Sequence, residues 1–549
     1  MPPKRRSSVE DESVKRSKQD SEDPRPHSKQ YTLASFWRTQ SSSTPSISLS
    51  ASLPKSSSAS TSGPTAPYSP PFLQPIFGRV FNKLVGDANP VATFKLRDLC
   101  SATSSRSTLQ NAVICTPYLD QDWLFPSIGE SVDILLVTNK QSKQDKRAAA
   151  EATKKDGKIC FHDLLGQEDD DGLCELEGRE RVRVKLVADL KSKGSSGVFH
   201  PKLLLLRFDT HLRVVISTGN FTKRDWHIND NSVWVQDFPP LPSSSSATYD
   251  FGTELERGLQ IAVNEDSAVD FDWLAQFDFS ATEGKDGARL IWSLGTGKEK
   301  YSAEKADVGS GLCYLPKALK SFGFAPCKAQ GGKGYWEVEA QTSSLSAFHS
   351  NFLWHFLACA SGVHPRTYLP SPPPKAILLP STVPLTALGT PTPPSGIKIG
   401  FPTQGEIEHA QRTRGNDNPG SCIWLSSTLD RNPDSLPDHV KHEQRNKRNG
   451  VNSHSKTILA LHKYEASTLE KDQVHEGWVY MGSHNFGHFA WGEIQQSGKH
   501  SVKNTELGVV FPIRASSAEE LEKKVKALMP YKREMARYTA NDRMFSKET

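Results

Sequence analysis

The sequence predicts an α/β protein of two similar halves that follow a polar tail. Three observations support this fold class. Short runs of Val, Ile and Leu alternate with longer mixed segments over most of the chain. A His-x-Lys pair heads an apolar run twice, at 200–206 and 454–461. Hydrophobic residues make up only 36% of the 549 residues, so part of the chain is expected to lack a packed core.

Residues 1–70 are predicted to be a disordered tail. Ser, Pro and Thr dominate positions 41–66, and such a composition cannot bury a core. The basic clusters at 4–6 (KRR) and 15–18 (KRSK) are typical of a two-part nuclear import signal, and they fit a merely solvated basic tail equally well. The tail holds ten Lys/Arg and six Asp/Glu, so it carries +4 of the net +5 and leaves the rest near +1. A polyanion would therefore have to be held by a local patch.

One segment of the tail, QYTLASFW at 30–37, resembles the box by which replication and repair proteins dock on the sliding clamp, proliferating cell nuclear antigen. The spacing fits Q-x-x-L-x-x-aromatic-aromatic, with Trp in place of the usual final Phe or Tyr. One helical turn would place the three apolar side chains together as a small plug. The candidate clamp-binding residues are Gln30, Leu33, Phe36 and Trp37.

The folded region is expected to begin near residue 68, with an N-terminal half at 71–290 and a C-terminal half at 291–549. The Pro-rich stretch 364–395 is predicted to be a long insertion in the second half. A helix start is predicted at YLDQDWLF (118–125), and the last ~30 residues, from SAEELEKK onward, are predicted to be helical. Strands are predicted at 112–116, 132–138, 182–188, 202–208, 213–218, 233–238, 285–300, 397–401, 422–427, 456–461, 478–483 and 507–511.

Several classes of protein and site are not indicated. No apolar run reaches the ~18 residues of a membrane span, and no charged-then-apolar leader opens the chain, so we expect a soluble intracellular protein without a membrane partner. The eight cysteines are scattered, with no CxxC and no His at zinc spacing. We therefore expect chemistry that uses neither a metal nor a cofactor.

The two His-x-Lys pairs have parallel surroundings. Each leads an apolar run, a second run follows and ends in Asn-Phe, a Trp comes six residues after that Asn, and another apolar run completes the set. This order is specific enough to indicate an internal duplication. The paired residues are His200, Lys202, Asn220, Phe221 and Trp226 in the first copy and His454, Lys456, Asn485, Phe486 and Trp491 in the second.

The residue types in the repeat suit a phosphate. His and Lys two apart on a strand would share one face. Two such sets, joined by a pseudo-twofold, would supply cationic and amide groups for the charge on the phosphoryl oxygens. One imidazole could attack phosphorus while the other donates a proton to the leaving oxygen and then activates water.

These motifs resemble the phospholipase D superfamily, and within it most closely the tyrosyl-DNA phosphodiesterases, which release topoisomerase I peptides and other blocks from DNA 3′ ends. The resemblance extends over nearly everything after residue 70. The wider superfamily carries an Asp five residues after the Lys, where this chain has Arg207 and Leu461. That absence is typical of the tyrosyl-DNA branch. The resemblance implies two α-β-α sandwich halves related by a pseudo-twofold, and a chain that acts as a monomer.

The resemblance also implies roles for individual residues. His200 would be the nucleophile and His454 the general acid and base, while Lys202, Lys456, Asn220 and Asn485 would bind the phosphate. Glu506 in NTELGVVF would orient one imidazole. The family's Gln that orients the other falls on Asn231, which carries the same amide on a shorter arm. Ser344 in QTSSLSAF lies where the family has a Ser-rich loop on the DNA strand.

Three functions remain open on the sequence. An enzyme acting on single-stranded and duplex DNA 3′ ends, including topoisomerase I peptide adducts, needs both His-Lys pairs and Glu506, and all are present. A phospholipid hydrolase would be expected to carry the superfamily Asp and an apolar membrane-facing stretch. An inert DNA-binding scaffold would tolerate the loss of a His or Lys. The expected chemistry is hydrolysis through a phosphohistidine that leaves a 3′-phosphate.

Overall fold

The computed structural model describes residues 71–84, 92–101, 107–140, 164–169, 173–187, 197–242, 247–263, 269–295, 309–324, 334–346, 350–365, 397–414, 423–425, 441–444, 446–464, 475–494 and 500–546. These residues all belong to one compact unit. The predicted tail at 1–70, with its import signal and clamp box, lies outside them. Nearly all of the Pro-rich stretch 364–395 does so too, since the description stops at 365 and resumes at 397. No helix within the described ranges has the length and apolarity of a bilayer span.

Twenty-one strands are present in the described part of the chain. They are β1 Ile76–Val80, β2 Thr93–Phe94, β3 Leu109–Cys115, β4 Asp133–Asn139, β5 Leu165–Glu168, β6 Cys174–Leu176, β7 Arg179–Val187, β8 Leu203–Phe208, β9 Leu212–Ser217, β10 Ser232–Phe238, β11 Arg289–Ser293, β12 Gly334–Gln341, β13 Ser344–Leu345, β14 Ile397–Phe401, β15 Trp424–Leu425, β16 Lys441–Glu443, β17 Thr457–Tyr464, β18 His475–Gly482, β19 Glu493–Ile494, β20 His500–Ser501 and β21 Glu506–Ala515.

Nine α-helices and two short 3₁₀ helices accompany these strands in the described ranges. The α-helices are α1 Leu96–Cys100, α2 Gln121–Ile128, α3 Lys223–His227, α4 Asp250–Val263, α5 Gly311–Ser321, α6 Ser350–Ala360, α7 Gln404–Arg414, α8 His488–Trp491 and α9 Ala518–Leu528; the 3₁₀ helices are Asp272–Gln276 and Ser280–Thr282.

Seventeen of these strands form two large mixed sheets, which confirms the α/β fold class with two similar halves. The first has the order β2-β1-β10-β9-β8-β3-β4-β7-β6-β5 and the second the order β11-β21-β18-β17-β12-β14-β16. Along the first sheet, the seven neighbouring strands β1-β10-β9-β8-β3-β4-β7 make four antiparallel pairings and then two parallel ones. The seven strands of the second sheet repeat this pattern in the same chain order. The duplication inferred from the motifs therefore extends to the order and direction of seven strands in each sheet.

The central strands are apolar on both faces because both faces of each sheet are covered. All six residues of β9 are buried, and so are all but one of β8 (LLLLRF). Such strands form near-continuous Val, Ile and Leu runs instead of alternating patterns. This property made β8, β9 and β10 visible in the sequence. Their motif residues are carried at the ends of the strands, where the chain leaves the sheet.

The two halves join through reciprocal pairings of the segments that carry the motifs. Phe199, just before the first motif His, bridges Thr505 of the second half in parallel, and Asp230 of the first half bridges Ser453, just before the second motif His. Ring contacts such as Phe77 on Phe511, with centroids 5.8 Å apart, add apolar burial between the sheets. The pseudo-twofold thus crosses a shared boundary at which each half completes the other's motif segment.

Some predicted elements differ in extent. The C-terminal helix ends at Leu528, and the described residues after it, up to 546, run along the second sheet through bridges such as Tyr531 to Asn446. Pro530 explains the stop, since proline cannot continue a helix. Only residues 423–425 of the predicted strand at 422–427 are described, and within them β15 pairs with β13. The predicted boundary at 290/291 falls inside β11, all of which pairs with β21 of the second sheet.

Candidate active site

The first imidazole, His200, lies in the segment immediately before β8 and is held at both its backbone and its ring. Its backbone N–H donates to the carbonyl of Thr505 at 2.8 Å. Its Nδ1 lies 2.8 Å from Oε2 of Glu506, at the start of β21. Because a carboxylate can only accept, the proton is assigned to Nδ1, which leaves the Nε2 lone pair for the site. The sequence expected His200 and Lys202 on the strand itself; the strand begins one residue after Lys202.

Glu506 is fully buried and completely engaged. Oε2 also accepts from the hydroxyl of Ser483, and Oε1 accepts from Nδ2 of Asn504 at 2.9 Å. Burial tends to raise the pKa of Glu506, but the charge of protonated His200 and its hydrogen bond outweigh burial and lower the pKa to about 2. Glu506 is therefore ionised throughout the physiological range and fixes the orientation of His200.

The second imidazole, His454, lies in the segment before β17. Its backbone N–H donates to the carbonyl of Asp230 at 2.9 Å. Its Nδ1 lies 3.4 Å from Oδ1 of Asp225, which belongs to α3 of the first half. Burial and then the charge of Lys456 lower the pKa of His454 to about 4, against the opposing effect of Asp225. The ring is therefore neutral at pH 7 in the unliganded protein.

The two motif lysines are buried and lie close to each other and to both imidazoles. Lys202 Nζ donates to the carbonyl of His200 at 2.8 Å, and Lys456 Nζ donates to the carbonyl of His454 at 2.5 Å. Lys456 Nζ also lies 3.3 Å from the carbonyl of Thr218, so it crosses from one half to the other. Burial, followed by the charge of Lys456, lowers the pKa of Lys202 well below its ordinary value. An anion between the lysines would relieve this repulsion.

The two motif asparagines are fixed through opposite ends of their side-chain amides. Asn220 donates to Oδ2 of Asp225 through both its backbone N–H and its Nδ2, each at 2.9 Å. Asn485 accepts at its Oδ1 from the backbone N–H of Ser344 at 3.0 Å and from the hydroxyls of Thr342 and Ser343 at 3.2 Å each. These contacts orient the Asn485 amide so that its Nδ2 is the group left to donate. Ser344 adjoins the site through this bond, and its predicted role on a DNA strand stays a prediction.

Asn231 does not take the position expected of it. Its Nδ2 donates to the backbone carbonyl of Asp225 at 2.9 Å, and its Oδ1 accepts from the hydroxyl of Thr218 at 2.9 Å. Both ends of this short amide are used within the first half, close against the backbone at Gly219, where an added Cβ would meet Asn231 Cγ at 2.7 Å. The group facing the His454 ring is the carboxylate of Asp225 instead.

Sequence reasoning missed Asp225 because it relied on the repeat. Asp225 lies five residues after Asn220, and the matching position after Asn485 is Ala490. A residue present in only one copy is not visible to an argument from duplication. A local signal did exist: Thr222 caps α3 by accepting from the Asp225 backbone N–H at 3.2 Å, and this places Asp225 at a defined position in the first turn.

Among the described residues, no group of three or more His, Cys, Asp or Glu converges as metal ligands would. His484, one residue before Asn485, is buried in contact with protein groups: its Nδ1 lies 2.5 Å from the Tyr480 hydroxyl and its Nε2 lies 3.1 Å from the Ser293 hydroxyl. Burial lowers the pKa of His484 to about 3. Burial also lowers the pKa of His200 from its ordinary value, so both motif imidazoles are neutral at pH 7 in the unliganded protein. The site consists of these two imidazoles beside carboxylates, with two lysines and two amides.

Comparison with known proteins gives one family and one fold. The family model described as tyrosyl-DNA phosphodiesterase matches residues 81–539. The fold is similar to the crystal structure of yeast tyrosyl-DNA phosphodiesterase, with a TM-score of 0.52 and 14% identity over 86% of this chain and 100% of that one. A mutant of the yeast protein gives a TM-score of 0.55 and 14% identity over 87% of this chain and 100% of that one. At 14% identity the likeness to these structures is evidence for the fold alone, and the evidence for family membership is the match to the family model.

Proposed function

The chain belongs to the tyrosyl-DNA phosphodiesterase family, a branch of the phospholipase D superfamily, and we propose that it hydrolyses 3′-phosphotyrosyl bonds and other 3′-end adducts through a phosphohistidine on His200. The observation that carries the proposal is the pairing of His200 Nδ1 with ionised Glu506 at 2.8 Å. This pairing leaves a neutral, oriented imidazole whose Nε2 can act as a nucleophile.

In the first step, Nε2 of His200 attacks phosphorus as the P–O bond to the tyrosyl oxygen breaks. His454, protonated once the anionic phosphate is bound, gives its proton to the departing oxygen. Lys202, Lys456 and the amides of Asn220 and Asn485 stabilise the charge on the non-bridging oxygens. The products are the free tyrosyl peptide and DNA joined through its 3′-phosphate to His200.

In the second step, water attacks phosphorus and the P–N bond to His200 breaks. Neutral His454 takes the proton from this water, so the acid of the first step is the base of the second. The DNA leaves with a 3′-phosphate, and both imidazoles return to their starting state. Every group used belongs to one chain, so the proposal requires neither a metal nor a partner subunit, and mass measurement in solution should give a monomer.

The test uses a single-stranded oligonucleotide with a 3′-phosphotyrosine, in EDTA. Wild type should convert it to a 3′-phosphate. His454→Ala should form the covalent adduct between DNA and His200, because a tyrosyl phenol has a pKa of about 10 and its phenolate can leave without an acid. The variant should then release the DNA from this covalent adduct slowly. His200→Ala should form no adduct.

Three results would contradict the proposal. Adduct on His200→Ala would reverse the two histidine roles. Loss of wild-type activity in EDTA would exclude the metal-free reaction. Tight DNA binding without conversion would favour an inert scaffold. A duplex oligonucleotide with the same 3′ end tests the strand form.

We further propose that residues 1–70 direct the protein to nuclear DNA. The two basic clusters support an import signal, and residues 30–37 support docking on the sliding clamp. A peptide of residues 26–41 should bind purified clamp, and Phe36→Ala should abolish that binding. Equal binding by both peptides would contradict the clamp box, and a fusion lacking residues 1–18 that stays nuclear would contradict the import signal.

A further inference from the structure

The second imidazole of the site is accompanied by a carboxylate, although the family resemblance implied an amide there. We propose that Asp225 is the positioning residue for His454 and that it acts mainly when His454 serves as the base toward water. This inference rests on the proposed function for its kinetic consequences. The geometry beneath it, a buried carboxylate oxygen 3.4 Å from the Nδ1 of a buried imidazole, stands independently.

Asp225 is held rigidly by groups other than His454. Oδ2 accepts two bonds from Asn220, and Oδ1 accepts from Nδ2 of Asn229 at 2.7 Å. The cap from Thr222 fixes its backbone. With so many donors converging on it, the carboxylate cannot turn away from the site. A preorganised group of this kind orients its neighbour without reorganising during the reaction.

On the His454 side, the ring atom that faces Asp225 is Nδ1. The ring is buried, and its Nδ1 makes no hydrogen bond within the part of the chain that the structure describes. The approach of 3.4 Å is long for a hydrogen bond, and such contacts often shorten once substrate is bound. An ionised carboxylate opposite Nδ1 selects the tautomer with the proton on Nδ1. Nε2 then faces the phosphate site with a lone pair.

Charge gives Asp225 a second effect that an amide would lack. Burial acts to raise the pKa of Asp225, but the charge that His454 carries when protonated, its hydrogen bond in that form, and the hydrogen bond from Asn229 outweigh burial and leave the pKa below its ordinary value. Ionised Asp225 stabilises the imidazolium that forms when His454 accepts a proton from water. Asp225 itself stays ionised throughout, since the proton moves only from water to Nε2.

The same carboxylate also links His454 to Asn220, one of the two amides proposed to hold phosphate. Orientation of the phosphate and orientation of the base therefore depend on one side chain. In the other half the two tasks are separate, because Glu506 orients His200 while Asn485 is held by the segment 342–344. Asp225 accordingly couples binding to water activation on one side of the site only.

The experiment compares wild type, Asp225→Asn and the matched control Asp209→Asn on the 3′-phosphotyrosyl oligonucleotide. Asp209 lies in the same half, where its carboxylate accepts from Ser107 and Thr108 at 3.0 Å. We expect Asp225→Asn to slow breakdown of the adduct by about 10²-fold and its formation by less than about 10-fold, so that adduct accumulates. The pH at which His454 titrates should fall, because the charge that favours its protonated form is gone. Asp209→Asn should behave as wild type.

A readout independent of turnover is the ¹⁵N spectrum of the imidazoles, with the His454 signals identified by their loss in His454→Ala. Wild type should show the proton on Nδ1, and Asp225→Asn should show a mixture of tautomers. Should Asp225→Asn fail to fold, Asn229→Ala removes a bond to the same carboxylate oxygen and should slow adduct breakdown by about 10-fold.

Two failures can be told apart. Absence of conversion by wild type would overturn the proposed function, while the tautomer measurement would still decide the role of Asp225. Normal turnover with no accumulated adduct, an unchanged pH profile and an unchanged tautomer in Asp225→Asn would overturn the inference and leave the proposed function intact.

Discussion

The segments that carry the two imidazoles have the same backbone scaffold and different side-chain anchors. Before His200, Phe199 is held by the amide of Asn139, which accepts from its N–H at 2.9 Å and donates to its carbonyl at 2.8 Å. Before His454, Ser453 bridges Asp230, whose carboxylate pairs with Arg79 and, at 2.9 Å, with Arg448. One segment is therefore anchored by a neutral amide and the other by a buried ion triad.

This difference indicates what a duplication keeps and what it changes. Strand order and the parallel bridges are common to both halves, because they set where each imidazole can lie. The side chains behind the bridges are free to differ as long as every buried polar group has a partner. The triad has two arginines on one carboxylate, and burial together with the charge of Arg448 lowers the pKa of Arg79 well below its ordinary value. The segment before His454 is thus held by buried charges, whereas the segment before His200 is held by a neutral amide.

The largest expected effect is on the triad. Asp230→Ala would leave Arg79 and Arg448 buried without their carboxylate, and loss of one partner of such a group costs about 3–5 kcal/mol in the free energy of unfolding. Asn139→Ala, its counterpart behind His200, removes two neutral hydrogen bonds and should cost about 2 kcal/mol. Urea unfolding of both variants measures the comparison.

A matched control for the triad is Arg181→Ala, since Arg181 pairs with Asp133 at 2.8 Å on an exposed surface and should cost at most about 1 kcal/mol. An Asp230→Ala variant no less stable than Asn139→Ala would show that the buried ion triad contributes nothing beyond a neutral anchor.

The next effect sharpens the comparison of the two imidazoles. Glu506→Gln removes the charge opposite His200, which makes the ring less basic and less firmly oriented, and adduct formation should slow by about 10²-fold. Adduct breakdown should change much less, the reverse of the pattern expected for Asp225→Asn. Single-turnover kinetics with quantified adduct separate the two steps. Slower breakdown with unchanged formation would mean that Glu506 supports the base and not the nucleophile.

The smallest expected effect is the loss of folding stability at acidic pH that is due to one buried histidine. Burial lowers the pKa of His355, on α6, to about 4, whereas an unfolded histidine titrates near 6.5. Below pH 6.5 the unfolded chain therefore binds a proton that the folded chain does not, and stability falls until about pH 4. For this single group the loss between pH 8 and pH 5 is roughly 2 kcal/mol.

Urea unfolding of wild type and His355→Gln at several pH values tests whether the pKa of His355 is lowered in the folded protein. The variant should lose less stability than wild type between pH 8 and pH 5, by about that amount, while the two should change in parallel between pH 8 and pH 7. A pH dependence identical to that of wild type would mean that His355 has the same pKa in the folded protein as in the unfolded chain.

Much of the fold could be predicted because its core strands are locally distinctive. The runs that became β3, β4, β8, β9 and β10 each contain three or four consecutive apolar residues, and so they stand out without any knowledge of their neighbours. Some elements with mixed composition are not predicted. One example is β12, GYWEVEAQ, whose charged residues have partners far away in the sequence. Oε2 of Glu339 lies 3.1 Å from Nε of Arg533, which belongs to the last part of the chain.

The site divides in the same way. The sequence by itself determined the residue types of the reaction, since the repeated His, Lys and Asn can be recognised from their spacing and Glu506 from the family resemblance. Only the tertiary structure decided which groups meet. The partners of both imidazoles come from the opposite half: Glu506 reaches His200 and Asp225 reaches His454 across the boundary between the sheets. Distances between residues more than 200 positions apart depend on how two sheets pack, and that packing leaves no local signature in the sequence.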